Sequence, residues 1–122
     1  MRKTAKLIST TTSAAVLLGC LALAPATSAV AASAVAEGKK LAFNKKKGNC
    51  LACHSIKGGK LAGDIGPPLI AMKARFPDKA KMRTQIWDST RNNPNTSMPP
   101  FGRHKILSES DINKITEYIY TL

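Results

Sequence analysis

The clearest hydrophobic pattern in the sequence lies at its C-terminal end. The apolar residues that recur there at helical spacing are Ile112, Ile115, Ile119 and Leu122. Ser108 precedes this pattern and Asp111 follows Ser108 by three residues, an arrangement typical of a helix N-terminus. The pattern therefore predicts a C-terminal helix that is capped by Ser108 and buries its isoleucine face.

An earlier helix is predicted over about residues 34–47, where Leu41 and Phe43 stand among many lysines. These lysines are Lys39, Lys40, Lys45, Lys46 and Lys47. Gly48 follows the pattern and is a residue at which helices commonly end. We expect the lysines to face water and the two apolar side chains to pack inward.

Two shorter helices are predicted in the middle of the chain, over about residues 69–75 and 78–89. The apolar residues expected to point inward from the first of them are Leu69, Ile70 and Met72. In the second, Met82 and Ile86 fall four residues apart on one face, and Pro77 suits the start of a helix.

The segments between these helices are rich in residues that interrupt regular structure. Residues 55–68 contain several glycines and two prolines, and residues 92–103 contain three prolines and a glycine. No segment alternates between apolar and polar residues as a strand would, and no repeat is visible. The sequence therefore predicts a small all-α domain of about four helices.

The beginning of the chain has the features of an export signal. The basic residues near its start are Arg2, Lys3 and Lys6. They precede an apolar run over residues 14–24, which is too short for a membrane-spanning helix of about 20 residues. Small residues then allow cleavage after Ala29, or as late as Ala36. We expect a signal peptide over residues 1–29, a mature domain over residues 30–122 and a periplasmic location.

A second interpretation of the same segment concerns Cys20. Leu17, Leu18, Gly19 and Cys20 resemble a lipoprotein signal, in which Cys20 would be acylated and retained. The residues that follow Cys20 stay apolar and do not form a polar tether, which favours the cleaved signal.

The net charge indicates the kind of partner that this domain meets. The full chain carries +12, and removing residues 1–29 takes away three basic residues and no acid, which leaves +9. Six aromatic residues in an exported chain do not favour nucleic acid as a partner. The charge is better suited to steering the domain onto an acidic protein, although it also serves solubility.

Cys50, Cys53 and His54 form a Cys-x-x-Cys-His motif, the attachment signature of c-type haem. Thiols three residues apart in a helical turn can each add to a vinyl group of the porphyrin, and the histidine then lies beneath the iron. Three other interpretations remain. A zinc site would need four ligands and could add only His104, a dithiol redox motif is typical of a βαβ unit, and a local disulfide would leave His54 without a role.

The second axial ligand must come from far along the chain. Met98 is the candidate, because it lies 44 residues after His54 on a loop held by Pro99 and Pro100 and its thioether favours ferrous iron. Met72 and Met82 fall on predicted helix faces, where methionine usually fills the core. His104 is the alternative and would give a bis-histidine site.

Residues 66–69, with the sequence GPPL, are expected to support His54. A ligating imidazole normally donates its other ring N–H to a fixed acceptor, and the carbonyl of Pro67 is the candidate. Leu69 would then contact the haem as part of its pocket. The alternative is that these residues form only a turn.

Together these motifs resemble a class I cytochrome c over the whole predicted mature length. The resemblance rests on a helix that contains Gly38, on residues 50–54 (CLACH), on Gly66 and Pro67, on Met98 and on the C-terminal helix. The finer pattern is similar to the SoxX subunits of SoxAX cytochromes in bacterial thiosulfate oxidation. The stretches that carry it are GNCLACH at 48–54, DIGP at 64–67 and NPNTSMP at 93–99.

The resemblance implies one covalent haem c in a heterodimer with a larger cytochrome, SoxA. That complex is an L-cysteine S-thiosulfotransferase, which joins thiosulfate oxidatively to a cysteine of a sulfur-carrier protein. In the family the catalytic haem belongs to SoxA, and SoxX passes electrons to a downstream acceptor. Both mature cysteines would be used as thioethers, so this chain has no catalytic thiol and is not an enzyme alone.

Two other functions remain as alternatives. A freely diffusing cytochrome c would shuttle electrons between partners in the periplasm, and the lysines suit this role equally well. A peroxidase or ligand sensor would need an open coordination site, which a bound Met98 would close. If the chain is instead a permanent subunit, we expect it to bury apolar surface against its partner. This contact should lie near Ile56 and residues 98–101, at the exposed haem edge.

Overall fold

The computed structural model describes residues 27–122, which form four α-helices joined by loops and two short 3₁₀ helices. The α-helices are α1 (Thr27–Phe43), α2 (Met72–Arg75), α3 (Lys79–Trp87) and α4 (Glu109–Ile119). The 3₁₀ helices are Cys50–Ala52 and Ser89–Arg91. No strand occurs in the described part of the chain, which confirms the predicted all-α class.

Helices α1 and α4 make the most extensive contact between helices. Gly38 permits their close approach, because a Cβ atom at this position would lie 1.9 Å from the carbonyl oxygen of Lys114. The rings of Phe43 and Tyr118 meet edge to face with centroids 6.2 Å apart. A salt bridge of 2.6 Å between Lys114 and Glu37 lies at the solvent side of the same contact. Helix α1 also contacts the 3₁₀ helix Cys50–Ala52.

Helix α4 has the cap and the buried face that its sequence predicts. The Ser108 hydroxyl accepts a hydrogen bond of 3.0 Å from the backbone N–H of Asp111. Ile112, Ile115 and Ile119 are at most 3% exposed and form the centre of the core. The predicted pattern is confirmed for these three residues.

The first two helices differ from their predicted bounds. Helix α1 ends at Phe43 and not at residue 47, because Asn44 starts a turn in which its side chain accepts from the N–H of Lys46 at 2.8 Å. Helix α2 is shorter than expected and begins at Met72, because Ala71 has a left-handed backbone with φ of 50°. Ile70, which was expected to point inward, is 60% exposed, so that prediction is wrong.

Helix α3 lies within one or two residues of its predicted range, and Asp78 caps it by accepting a 2.8 Å hydrogen bond from the N–H of Ala80. Met82 and Ile86 are buried, as predicted from their spacing. None of the helices within residues 27–122 has the length and apolar character needed to cross a membrane. The predicted signal peptide falls almost entirely outside the described residues, and Cys20 falls wholly outside them.

Candidate functional site

A cavity of about 710 Å³ opens within the helical core and is lined mainly by apolar side chains. Helix α2 contributes Met72, α3 contributes Met82 and Ile86, and α4 contributes Ile115 and Ile119. Its volume lies in the range of about 300–1,000 Å³ that small molecules and cofactors occupy in proteins. Three of the four helices therefore line a space suited to an apolar ligand.

Cys50, Cys53 and His54 lie together in one wall of this cavity. Asn49 has a left-handed backbone with φ of 46°, and the chain then enters the 3₁₀ helix Cys50–Ala52. The carbonyl oxygen of Cys50 accepts from the N–H of His54 at 2.9 Å and from that of Cys53 at 3.3 Å. This tight turn brings both sulfur atoms and the imidazole to the same wall.

The imidazole of His54 is held in one orientation by the loop that follows it. Its Nδ1 atom lies 2.7 Å from the carbonyl oxygen of Pro67, the contact expected from the sequence. Because a carbonyl oxygen only accepts, Nδ1 must carry the hydrogen and donate it, which leaves the lone pair on Nε2. A histidine of this tautomer can ligate a metal through Nε2.

Gly66 allows this arrangement by leaving room for the ring. A Cβ atom at this position would lie 2.3 Å from Cε1 and 2.6 Å from Nδ1 of His54. The N–H of Gly66 also donates to the carbonyl oxygen of Cys53 at 2.8 Å, which ties the loop to the cysteine turn. Leu69, predicted as a pocket residue, is 9% exposed and lines the cavity.

Arg75 supports the same loop from helix α2, a contact that the sequence did not indicate. Its Nη1 atom donates to the carbonyl oxygen of Pro68 at 2.7 Å and lies 3.5 Å from the sulfur of Met72. The guanidinium therefore fixes the residue next to the acceptor of His54. It also places a positive charge at the edge of the cavity.

The Cys50 thiol does not have the properties of a reactive redox cysteine. Burial raises the pKa of the Cys50 thiol to about 11, and the nearby Cys53 adds to this rise. Reactive cysteines have lowered pKa values, so Cys50 is poorly suited to form a nucleophilic thiolate. Both thiols are free, so the local disulfide is not formed either. The apolar wall therefore favours a neutral sulfur at Cys50.

Met98 reaches the cavity from the long loop between α3 and α4. The hydroxyl of Ser89 donates to its carbonyl oxygen at 2.7 Å, and its N–H donates to the hydroxyl of Thr96 at 3.1 Å. Both backbone groups of Met98 are therefore held by side chains. Neither hydroxyl residue was singled out from the sequence.

The other candidate ligands differ in position. Met72 and Met82 also line the cavity, where they are 3% and 1% exposed and pack in the core. His104 is exposed and lies outside the cavity lining. Within residues 27–122, no group of three or more His, Cys, Asp or Glu side chains is placed to hold a metal ion, so the structure does not contain the zinc site considered above.

These observations fit a porphyrin that is linked through two thioethers. The wall supplies two sulfur atoms, an imidazole with a free Nε2, and a glycine that leaves space for that imidazole. The family model described as Cytochrome c matches residues 35–122, which include every residue of the cavity. The chain belongs to the cytochrome c family. It is therefore an electron-transfer haem protein with covalently bound haem c.

The helical fold of this cytochrome c agrees with the class I type that the sequence resembled. A search among curated proteins finds no match to the chain. One expectation about the surface of the cavity is wrong: Ile56 is only 3% exposed, because it packs in the hydrophobic core and not at the cavity edge. Met98, Pro99 and Phe101, which were expected at the same edge, do line the cavity. Ile65 and Ile106 also line it and are 70% and 45% exposed.

Proposed function

We propose that this cytochrome c carries one haem, joined through thioether bonds to Cys50 and Cys53, with His54 and Met98 as axial ligands. The observation that supports this assignment is that all four side chains line one cavity. His54 has its Nδ1 hydrogen committed to Pro67, so that Nε2 is free to bind iron. Met98 is preferred to Met72 and Met82 because it lies on a loop and is only half-buried, whereas they are 3% and 1% exposed on helix faces that form the core.

When bound, haem c supplies a one-electron couple between ferric and ferrous iron. The residues of the chain set the conditions for this couple. The apolar side chains of α2, α3 and α4 exclude water from the cavity, and the Met98 thioether favours ferrous iron. The Arg75 guanidinium adds a positive charge that acts in the same direction. These features suit an electron acceptor.

For the partner, we propose that the chain is the SoxX subunit of a SoxAX complex in the periplasm. In that reaction a sulfur–sulfur bond forms between a carrier cysteine and thiosulfate, the thiol proton is released, and two electrons leave. The chain accepts these electrons singly and passes them to a downstream acceptor. The sequence stretches around Cys50, Gly66 and Met98 support this assignment, and both mature cysteines are engaged by haem.

The exposed apolar rim favours a lasting partner. Ile65 and Ile106 lie at the mouth of the cavity, and the lysine-rich segment 45–47 lines the same cavity. Exposed apolar side chains beside a functional cavity are typical of an interaction site. A partner such as SoxA would cover them and leave the lysines at the edge of the contact.

The second candidate is a freely diffusing electron shuttle. Lys45, Lys46 and Lys47 are all exposed at the cavity mouth, and this charge suits brief contacts with several acidic partners. Such contacts are small, wet and weakened by salt. The two functions thus differ in how the complex responds to salt.

Purification of tagged protein from its own host, at low and at moderately high salt, separates these functions. We expect a larger c-type cytochrome to be retained in equal amount at both salt concentrations. Replacing Ile65 and Ile106 by Ser should release this partner, whereas Lys46→Ala should weaken binding only slightly and mainly at low salt, because salt screens the charge that is lost. A lone haem-loaded monomer at both salt concentrations would contradict the subunit assignment and leave the shuttle.

Intact mass of the exported protein tests the haem assignment and the location together. We expect the mass of the chain from residue 30 onward plus one haem that survives acid–acetone extraction. Replacing either Cys50 or Cys53 by Ser should reduce or abolish this addition. If the same measurement shows an acylated Cys20, the protein is a lipoprotein and the cleaved-signal interpretation is wrong.

A further inference from the structure

We propose that Ser89 is a positioning residue that holds Met98 at the haem iron. Ser89 begins the second 3₁₀ helix and is 0% exposed, although it is a polar residue. Its hydroxyl donates to the carbonyl oxygen of Met98 at 2.7 Å, nine residues further along the chain. The inference rests on the proposed role of Met98 as a ligand and extends it to the residues that fix this ligand.

The bond from Ser89 closes a ring of hydrogen bonds around the start of the Met98 loop. The carbonyl oxygen of Ser89 accepts from the N–H of Asn93 at 3.2 Å, and the carbonyl oxygen of Asn93 accepts from the N–H of Thr96 at 3.1 Å. The hydroxyl of Thr96 then accepts from the N–H of Met98 at 3.1 Å. The ring therefore joins Ser89, Asn93, Thr96 and Met98, and its last link is the Ser89 hydroxyl.

This ring replaces the regular structure that the loop lacks. Residues 92–103 contain no helix, and Pro94, Pro99 and Pro100 cannot donate backbone hydrogen bonds. The position of the Met98 thioether relative to the cavity then depends on where its backbone is held. Because Ser89 is the fully buried member of the ring, water cannot take over its bond without entering the core. Loss of the hydroxyl leaves the Met98 carbonyl without its donor and frees the loop.

The expected effect is a weaker bond between Met98 and the iron in Ser89→Ala. Imidazole added to the ferric protein competes with Met98 for the sixth position, and its apparent affinity should rise about tenfold. This factor corresponds to about 1.4 kcal/mol, the size expected of one buried hydrogen bond. The far-red absorption of the sulfur–iron bond should disappear on heating well before the helical circular dichroism is lost.

Thr116→Val is the matched control. Thr116 is 3% exposed, and its hydroxyl donates to the carbonyl oxygen of Ile112 at 2.8 Å, within α4 and away from the cavity lining. This variant also loses one buried hydrogen bond from a hydroxyl. We expect it to lower the unfolding temperature while the absorption band and the helical signal disappear together. Imidazole affinity within twofold of wild type in Ser89→Ala would overturn the proposal.

Thr96 provides a second test if Ser89→Ala does not accumulate in folded form. Thr96 is half-buried, so water can partly replace its hydroxyl, and Thr96→Val should raise the imidazole affinity by only about threefold. Thr96→Ser keeps the acceptor and should behave as wild type. Equal affinities for Thr96→Val and Thr96→Ser would contradict the ring.

Met98→Ala distinguishes failure of this inference from failure of the proposed ligand. If Met98→Ala abolishes the far-red band and Ser89→Ala leaves the band and the imidazole affinity unchanged, the ligand is correct and Ser89 does not position it. If the band persists in Met98→Ala, another residue is the ligand, and both proposals are wrong.

Discussion

The two sides of the cavity are held in different ways. The His54 side, residues 48–69, is fixed by backbone groups close in sequence: Cys50 accepts from His54, Cys53 accepts from Gly66, and Pro67 accepts from the His54 ring. The Met98 side, residues 87–107, also has backbone hydrogen bonds, but it is held in addition by side chains, including the two that contact the backbone of Met98. These side-chain groups are the hydroxyls of Ser89 and Thr96, the carboxylates of Asp88 and Glu109, and the guanidinium of Arg103.

This difference determines how each side responds to change. Backbone hydrogen bonds persist in most substitutions and do not titrate. The His54 side is therefore sensitive mainly to substitutions that add atoms where the His54 ring packs. Hydroxyls, carboxylates and guanidinium groups are removed by single substitutions, and the carboxylates lose their charge in acid. We therefore expect the structure of the His54 side to change little with substitution or pH. The position of Met98 should depend more on single substitutions and on solution conditions.

The largest expected effect is the loss of Met98 itself. Met98→Ala should abolish the far-red sulfur–iron band of the ferric protein and open the sixth position to added ligand. Met72→Ala and Met82→Ala should keep the band but lower the free energy of unfolding by about 2–5 kcal/mol, because they leave cavities in the core. Absorption spectra and denaturant unfolding measure the two effects separately.

A comparison of two glycines tests whether the sides are independent. In Gly66→Ala the new methyl group would overlap the His54 ring, whereas in Gly102→Ala it would lie 2.0 Å from the Trp87 ring at the base of the Met98 side. Each overlap should cost about 1–3 kcal/mol of stability. The Nδ1 proton resonance of His54 should shift only in Gly66→Ala, and the far-red band should become less heat-stable only in Gly102→Ala. Changes in both signals for both variants would show that the sides are coupled.

The sequence allowed the prediction of the His54 side more completely than that of the Met98 side. The Cys-x-x-Cys-His motif and the Gly-Pro step specify local contacts, so the hydrogen bond from His54 to Pro67 could be expected. The roles of Ser89 and Arg75 could not, because a lone serine or arginine looks like any surface residue until the loop closes. Ile70 and Ile56 show the same limit for packing: apolar character alone did not reveal that the first is exposed and the second is buried.

A smaller effect is expected from the charge that supports the His54 side. Arg75→Gln removes the hydrogen bond to the Pro68 carbonyl and a positive charge at the cavity. Lys73→Gln removes an equal charge from the same helix, where Lys73 lies 5.8 Å from the Tyr120 ring centroid. We expect Arg75→Gln to lower the reduction potential more than Lys73→Gln and to speed exchange of the His54 Nδ1 proton. Equal shifts in potential, with unchanged exchange, would indicate that only the net charge matters.

The smallest effect is the response of the Met98 side to acid. The hydroxyl of Thr90, followed by the charge of Arg103, holds the pKa of the Asp88 carboxyl below its usual value. The Trp87 indole N–H, which donates to Glu109 at 2.7 Å, and then Arg83 lower the pKa of Glu109 in the same way. A carboxyl with a lowered pKa in the folded state stabilises that state above its unfolded pKa, and this contribution is lost as the pH falls through the folded value.

Acid should therefore loosen the Met98 side before it affects the His54 side, whose backbone carbonyls do not titrate. We expect the far-red band to weaken below about pH 4, the usual value for an aspartate, while the main haem absorption of the histidine-ligated form persists to lower pH. Asp88→Asn should weaken the heat stability of the band at neutral pH and flatten its acid dependence, because the titrating group is gone. Asp64→Asn is the control, because Asp64 is an exposed carboxylate on the His54 side. This variant should leave the dependence of the far-red band on pH unchanged. Simultaneous loss of both absorptions in acid would show that the carboxylates stabilise the whole domain and not the Met98 side in particular.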